Sequence, residues 1–262
     1  MTDPVTHTIS LQPDSHITVT EAGTGRPVLI LHGGGGPFTV ANIAGHLATN
    51  MHTIAPNHPG WNGTPRPDWL SNIDHLALAY LRYLEDNDLH DVLVIGSSLG
   101  GWIGSEMAAH DDGDLIAGLI LIDAVGVEIE GEPIRDFFAL DAHEVAEYSF
   151  HDSERFYVDP ATLTPEQIAT RQANMATMRV MAGDPYMRDP KLLGSLDRVD
   201  IPILAIWGES DRIVTPAYGA AYAAAFQNAR FEIVKEAGHL PQLEQPDATF
   251  ALIDGYVSEQ SE

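Results

Sequence analysis

Ser98 stands at the centre of Gly96-Ser97-Ser98-Leu99-Gly100, between the apolar run Val92-Leu93-Val94-Ile95 and a helix-compatible stretch from Trp102 to His110. Glycines around a serine at a strand-to-helix corner allow a strained turn that exposes the hydroxyl above the sheet, because they let strand and helix approach closely. Ser98 is therefore a candidate nucleophile. Position 95 is Ile, so the pattern cannot be read one residue earlier with Ser97 at its centre. Alone, the pentapeptide also fits an ordinary turn. A nucleophilic serine further needs a base for its proton, a carboxylate to orient that base, and N–H donors for the oxyanion.

Twelve histidines are present, and a histidine taken at random is more often a surface or core residue than a base. His239, in Glu236-Ala237-Gly238-His239-Leu240-Pro241, follows the strand-like Phe231-Glu232-Ile233-Val234 and comes last in the chain order Ser, Asp, His. For the carboxylate, Asp211 lies in Gly208-Glu209-Ser210-Asp211-Arg212, just past the strand-like Ile203-Leu204-Ala205-Ile206. Asp211 could instead cap the next helix, but Thr215-Pro216 already supplies a cap and a first-turn proline for the Ala-rich stretch to about Phe226. Two rivals stay open: Asp123, which ends the strand Leu119-Ile120-Leu121-Ile122, and Glu209. Leu99, directly after the nucleophile, is one expected oxyanion donor, and Gly34 in His32-Gly33-Gly34-Gly35-Gly36-Pro37 is the other. That glycine run does not read as a phosphate cradle. It lacks the third glycine of a dinucleotide fingerprint, and no Gly-Lys-Ser or Gly-Lys-Thr occurs in the chain.

With His32-Gly33-Gly34-Gly35, the Gly96 to Gly101 elbow, Gly208-Glu209-Ser210-Asp211 and Gly238-His239 in this order on successive strand ends, the chain resembles the α/β-hydrolase family. The segment His58-Pro59-Gly60-Trp61-Asn62-Gly63 also looks like that family's loop after its fourth strand, although Asn57 stands where many members carry aspartate. The resemblance implies an α/β fold with a mostly parallel eight-stranded sheet, helices on both faces and an inserted helical lid. Residues 1–125 and 200–262 would form the core, and 126–199 the lid.

The chain's own pattern agrees. Strands are expected near Thr6 to Leu11, His16 to Glu21, Val28 to Leu31, Met51 to Ala55, Val92 to Ile95, Leu115 to Ile122, Ile201 to Ile206 and Arg230 to Val234. Helices fall at Val40 to Ala48, Ile73 to Asp86, after Ser98, at Ala217 to Phe226 and at Asp247 to Val257. Such alternation predicts a sheet covered on both faces, with ligands at the carboxyl ends of its strands. Between Val125 and Val199 the alternation breaks. Thr164-Pro165-Glu166-Gln167 is a capping box with proline at the first helical position, opening a helix that ends near Gly183. On that helix Met175, Met178 and Met181 recur every three residues, a stripe that packs a helix on its neighbour and can also give a pocket an adaptable wall. Phe38, Phe137, Phe138, Met175, Met178 and Leu240 are the candidate pocket residues, with Phe156 and Tyr186 as further aromatics of the segment.

Composition narrows the function classes. The chain has 262 residues, is 44% hydrophobic, and carries a formal charge of −25 with no cysteine. Disulfides, thiolate catalysis and Cys-based zinc sites are excluded. Nucleic acid and anionic membranes, which need a basic face, are disfavoured as partners. No apolar run is long enough to span a bilayer, and Met1-Thr2-Asp3-Pro4 does not read as a signal peptide, so a cytoplasmic protein acting on a small molecule is expected. A homo-oligomer is left open. No cofactor or metal is called for: Asp111-Asp112-Gly113-Asp114 lacks the full spacing of a calcium loop, and His143-Glu144 lacks the second histidine of a helical zinc motif.

These readings converge on acyl transfer to water: Ser98 as nucleophile, His239 as base, Asp211 as its orienting acid, and Gly34 and Leu99 as oxyanion donors. Esters are the expected substrates, with lactones or thioesters close behind. The resemblance also admits carbon–carbon hydrolysis of ring-fission products on the same triad. Against it, Gly35-Gly36-Pro37-Phe38 stands where those relatives tend to have proline then glycine, and Leu240 where they often have tryptophan. Aspartate-nucleophile relatives are disfavoured by Ser98. A non-catalytic ligand-binding role, which the fold also hosts, would leave a complete catalytic set unexplained.

Overall fold

Apolar runs without polar alternation make strands that need cover on both faces. In the computed structural model, which describes residues 4–12, 15–112 and 115–260, those runs form the middle of one sheet. In chain order the elements are β1 (Val5–Gln12), β2 (Ser15–Ala22), β3 (Pro27–Leu31), α1 (Ala41–Leu47), β4 (His52–Pro56), α2 (Ile73–Asp86), β5 (Val92–Ser97), α3 (Leu99–His110) and β6 (Ile116–Ile122). There follow α4 (Ala142–Ser149), α5 (Ser153–Phe156), α6 (Pro165–Ala182), β7 (Ile203–Gly208), α7 (Pro216–Ala223), β8 (Ala229–Val234), α8 (Pro241–Glu244) and α9 (Pro246–Glu259). The eight strands lie in the order β1-β2-β4-β3-β5-β6-β7-β8. β2 is antiparallel to both β1 and β4, and every other pair is parallel. The expected mostly parallel sheet is what the chain forms.

Period-two alternation sends neighbouring residues of each central strand to opposite cores. Leu29, Val94, Leu121 and Trp207 pack with Tyr80 of α2, Ile103 of α3 and Tyr218 of α7. Ile30, Ile95, Ile122 and Ile206 pack with Ile43 of α1 and Ile253 of α9. Helix caps sit where their residues call for them. Thr164 bonds the Gln167 N–H and Gln167 returns to the Thr164 N–H, while Thr215 accepts the Tyr218 N–H, which frees Asp211 from capping α7.

Two boundaries differ from the expected ones by three residues, the others by two or fewer. α3 starts at Leu99, because the helix begins directly from the serine corner. α7 stops at Ala223, short of Phe226, because the Ala225 and Phe226 N–H groups bond carbonyls three residues back and the last turn tightens. In the acidic turn after α3, Asp111 accepts the N–H groups of Leu115 and Ile116, while Gly113 and Asp114 lie outside the described residues. Among the described residues no helix is long and apolar enough to cross a membrane.

The centre of the sheet leaves no room above β3 and β5. A Cβ on Gly100 would run into the Leu31 carbonyl, and one on Gly96 into the Gly100 carbonyl. Both obstacles are backbone and cannot rotate away. Gly100→Ala is expected to destabilise the protein by about 3 kcal/mol, read as a lower denaturation midpoint at unchanged m-value.

Candidate active site

Ser98 joins β5 to α3 with φ 54° and ψ −114°. Non-glycine residues enter positive φ only where the surroundings hold them there. Here the Ser98 N–H is tied to the Ile122 carbonyl at 2.8 Å, and its carbonyl accepts from Gly101 (3.0 Å) and Trp102 (3.2 Å). The turn lifts the hydroxyl off the sheet toward the loop after β8.

That loop carries His239, whose Nε2 lies 2.9 Å from Ser98 Oγ and whose Nδ1 lies 2.8 Å from Asp211 Oδ2. Ser98 lies more than a hundred residues from Asp211 and His239, and Asp211 lies 28 from His239, yet the three meet at the carboxyl ends of β5, β7 and β8. Asp211 is 2% exposed, and its Oδ1 accepts the Ile213 and Val214 N–H groups at 2.8 and 3.2 Å. Three N–H donors thus serve its two carboxylate oxygens. Of the rivals, Glu209 turns away to the Glu236 N–H, and Asp123 packs behind Asp211.

The glycine loop after β3 sits beside the serine. A Cβ on Gly33 would fall 3.3 Å from the Ser98 Cβ. The Gly33 N–H is committed to Thr39 Oγ1 at 3.3 Å, and the Gly34 carbonyl accepts Trp61 Nε1–H at 2.9 Å, which fixes the orientation of that residue. Leu99 is the first residue of α3, where N–H groups have no acceptor within the helix. The loop is braced by two buried histidines. His32 Nε2 accepts the His58 N–H at 3.0 Å, His58 Nε2 donates to the His32 carbonyl at 3.1 Å, and Tyr80 closes the chain on His58 Nδ1 at 2.6 Å. Burial pushes His32 down to about 4 and His58 downward as well, so both are neutral hydrogen-bonding struts at physiological pH.

The family model described as the alpha/beta hydrolase family matches residues 28–252, which contain the serine corner, the acid loop and the histidine loop. The chain belongs to the alpha/beta hydrolase family, and it is an enzyme of that family. Among curated relatives, a 2-hydroxy-6-oxo-6-(2'-aminophenyl)hexa-2,4-dienoic acid hydrolase of Metapseudomonas resinovorans is 25% identical over 87% of this chain and 82% of its own. Lipase 1 of Psychrobacter immobilis is 25% identical over 86% of this chain and 74% of its own. Among solved structures, a meta-cleavage product hydrolase from Pseudomonas fluorescens IP01 superposes with a TM-score of 0.80 at 16% identity, covering 97% of each chain.

In this hydrolase the stretch between β6 and β7 lays α6 across the glycine loop and the loop after β4. Asn174 exchanges two hydrogen bonds with Asn62 (2.9 and 3.0 Å), and Thr177 donates to the Gly60 carbonyl at 2.9 Å. Met178 closes over Gly34, where a Cβ would strike its sulfur. Met178 and Met181 are buried and Met175 half-buried, so the methionine stripe packs the helix down. The other pocket candidates scatter. Phe38 is 62% exposed, a surface residue in place of the expected wall, because its ring lies over Gly35 on the outer side of the loop. Phe138 packs between Tyr186 and the Arg179 guanidinium, with Phe137 beside it against the core. Leu240 is half-buried next to His239. A separate cavity of about 370 Å³, lined by residues 127–134, Tyr186 and Arg188, does not include Ser98, Asp211 or His239.

Sequence reasoning missed Glu244, Gln242 and Trp61. Glu244 is buried and accepts N–H groups from Gly238 (2.6 Å), His151 (3.0 Å) and Asp152 (3.1 Å), stapling the chain after α4 to the histidine loop. The His239 N–H itself goes to the Ser149 carbonyl at 2.6 Å. Gln242 bridges the Thr39 carbonyl (2.9 Å) and Ser97 Oγ (3.1 Å). Only the Gly-His-x-x-x-x-Glu spacing marked Glu244, and spacing does not tell which amides it meets. Glu244→Gln is expected to cost about 2 kcal/mol, the worth of a lost hydrogen bond to a charged group, and to speed amide exchange at Gly238, His151 and Asp152 relative to the sheet.

Proposed function

We propose that this enzyme hydrolyses a small neutral or apolar carboxylic ester, lactone or thioester through an acyl-enzyme on Ser98. The observation that carries the reading is the continuous pair of hydrogen bonds from Ser98 Oγ through His239 to Asp211, at 2.9 and 2.8 Å. His239 Nε2 takes the hydroxyl proton as Oγ attacks the carbonyl carbon. The negative charge that develops on the carbonyl oxygen meets the N–H groups of Leu99 and Gly34. The imidazolium gives its proton to the leaving alcohol, the ester bond breaks, and a water deprotonated by His239 then releases the acid and restores Ser98. Asp211 holds the ring with Nδ1 protonated and stabilises its cation.

Residues 126–199 act in this reading as the lid over a core of 1–125 and 200–262, with α6 and Met178 against the oxyanion loop. The formal charge of −25 and the acids Asp211 and Glu244 beside the histidine favour uncharged substrates. Carbon–carbon hydrolysis is the second reading, favoured by the dienoic acid hydrolase among the relatives. Its substrates there are acids, which this field repels.

The test is hydrolysis of p-nitrophenyl esters from acetate to octanoate. Turnover is expected from the wild type, with kcat lowered about 10⁴-fold by Ser98→Ala or His239→Ala and by a similar factor in Asp211→Asn, which presents the wrong tautomer of the ring. A folded wild type inert on every ester, yet cleaving a 2-hydroxy-6-oxohexa-2,4-dienoate, would overturn the ester reading in favour of the second.

A further inference from the structure

Two carboxyl groups meet in the protein interior behind His239. Asp123 follows β6 with φ 45° and is fully buried. Its N–H donates to the Ile206 carbonyl at 3.0 Å, and its Oδ1 accepts the Gly208 N–H at 2.9 Å. Its Oδ2 meets no N–H or O–H donor. A carboxyl oxygen of Asp123, one of Asp211 and a ring nitrogen of His239 lie within 4.8 Å of one another, and the side chain within bonding reach of the Asp123 carboxyl is another acid, Asp211. The Asp211 oxygens already receive His239 Nδ1, Ile213 N–H and Val214 N–H.

We propose that Asp123 keeps its proton at neutral pH and donates an O–H from Oδ2 to the Asp211 carboxylate, as a positioning residue for the acid that orients His239. The inference rests on the triad proposed above. Two adjacent buried carboxylates do not both ionise without a cation between them. The titratable groups facing Asp123 are Asp211, Glu244 and the His239 ring, so two of the three are acids and none is an arginine or lysine. Between the two aspartates the proton belongs on the one with fewer donors. Asp211 receives three N–H groups and Asp123 one. Burial pushes the Asp123 carboxyl well up, the charge on Asp211 pushes it further, and the single Gly208 N–H opposes without reversing this. The proton also resolves the orphaned oxygen, since a buried acceptor facing an acceptor becomes a satisfied donor. His239 Nδ1 points to Asp211, so Asp123 acts on the histidine only through it.

The experiment compares wild type with Asp123→Asn and Asp123→Leu. Infrared difference spectra of wild type against Asp123→Asn at pH 7 are expected to show the C=O band of a protonated carboxyl in the wild type alone. On a p-nitrophenyl ester, Asp123→Leu is expected to lower kcat roughly 10- to 100-fold, the worth of one hydrogen bond to a charged group, with KM little changed. Asp123→Asn, whose amide N–H replaces the O–H, recovers most of that loss and leaves the acid limb of the pH–rate profile in place. Three results overturn the proposal: no carboxyl band; an acid limb moved down by about one unit in Asp123→Asn, as removal of a negative charge beside the histidine requires; or an Asp123→Asn as inactive as Asp211→Asn. The infrared signal needs no turnover. Ester turnover without the band sinks this inference alone, and the band in a protein inert on all substrates supports the shared proton while removing the hydrolytic reading.

Discussion

Where the carbonyl of Leu31 and the backbone of Gly100 touch, β3, β5 and the start of α3 are drawn together more closely than any side chain would allow. That approach makes the strand-to-helix turn at Ser98 sharp, and the sharp turn drives the serine to φ 54°. Backbone strain of this kind persists only where the surroundings over-determine it, and here the Ser98 N–H bonds β6 while its carbonyl receives the first amides of α3. Ser98 is thus placed by backbone on all sides. Its side chain is left free for the histidine.

Around that fixed point the other loops are joined by a few buried polar groups. Gln242 connects the serine corner to the glycine loop, Trp61 pins Gly34, and Glu244 binds the histidine loop to the chain after α4. Each is a side chain satisfying main-chain groups, the arrangement by which irregular segments become rigid without regular secondary structure. The consequence is a coupling between the chain after α4 and the histidine loop: His239 takes its backbone position from Ser149 and from Glu244, so movement of residues 148–152 displaces the ring as well.

Electrostatically the interior is handled by neutralising groups in place. His32 and His58 are uncharged because burial disfavours their cations, and Tyr80 stays protonated for the same reason. In a chain with formal charge −25, the acid beside the histidine is stabilised by amides from its own loop and needs no arginine or lysine. A proton shared from Asp123 would extend the same economy of charge by one step.

Much of this was legible in the chain. Apolar runs that alternate with amphipathic stretches report their burial directly, so the strands, the capping box at Thr164 and the cap at Thr215 could be placed by local chemistry alone. Ser98 and His239 were legible because glycine spacing and position at a strand end are themselves local. Asp211, Asp123 and Glu209 could not be separated that way, since each is an acid just past a strand; the choice was made by which carboxylate the twist and register of β6, β7 and β8 bring to Nδ1. The same holds for Phe38, which is apolar and adjacent to the site in sequence yet exposed, and for Glu244 and Gln242, which tie together loops distant in the chain. Sequence determined the elements and the residue types capable of chemistry, because those depend on neighbours within a few positions. Which of those residues touch was decided only by packing, because hydrogen bonds form over about 3 Å between groups on different loops, from 27 to more than a hundred residues apart in the chain.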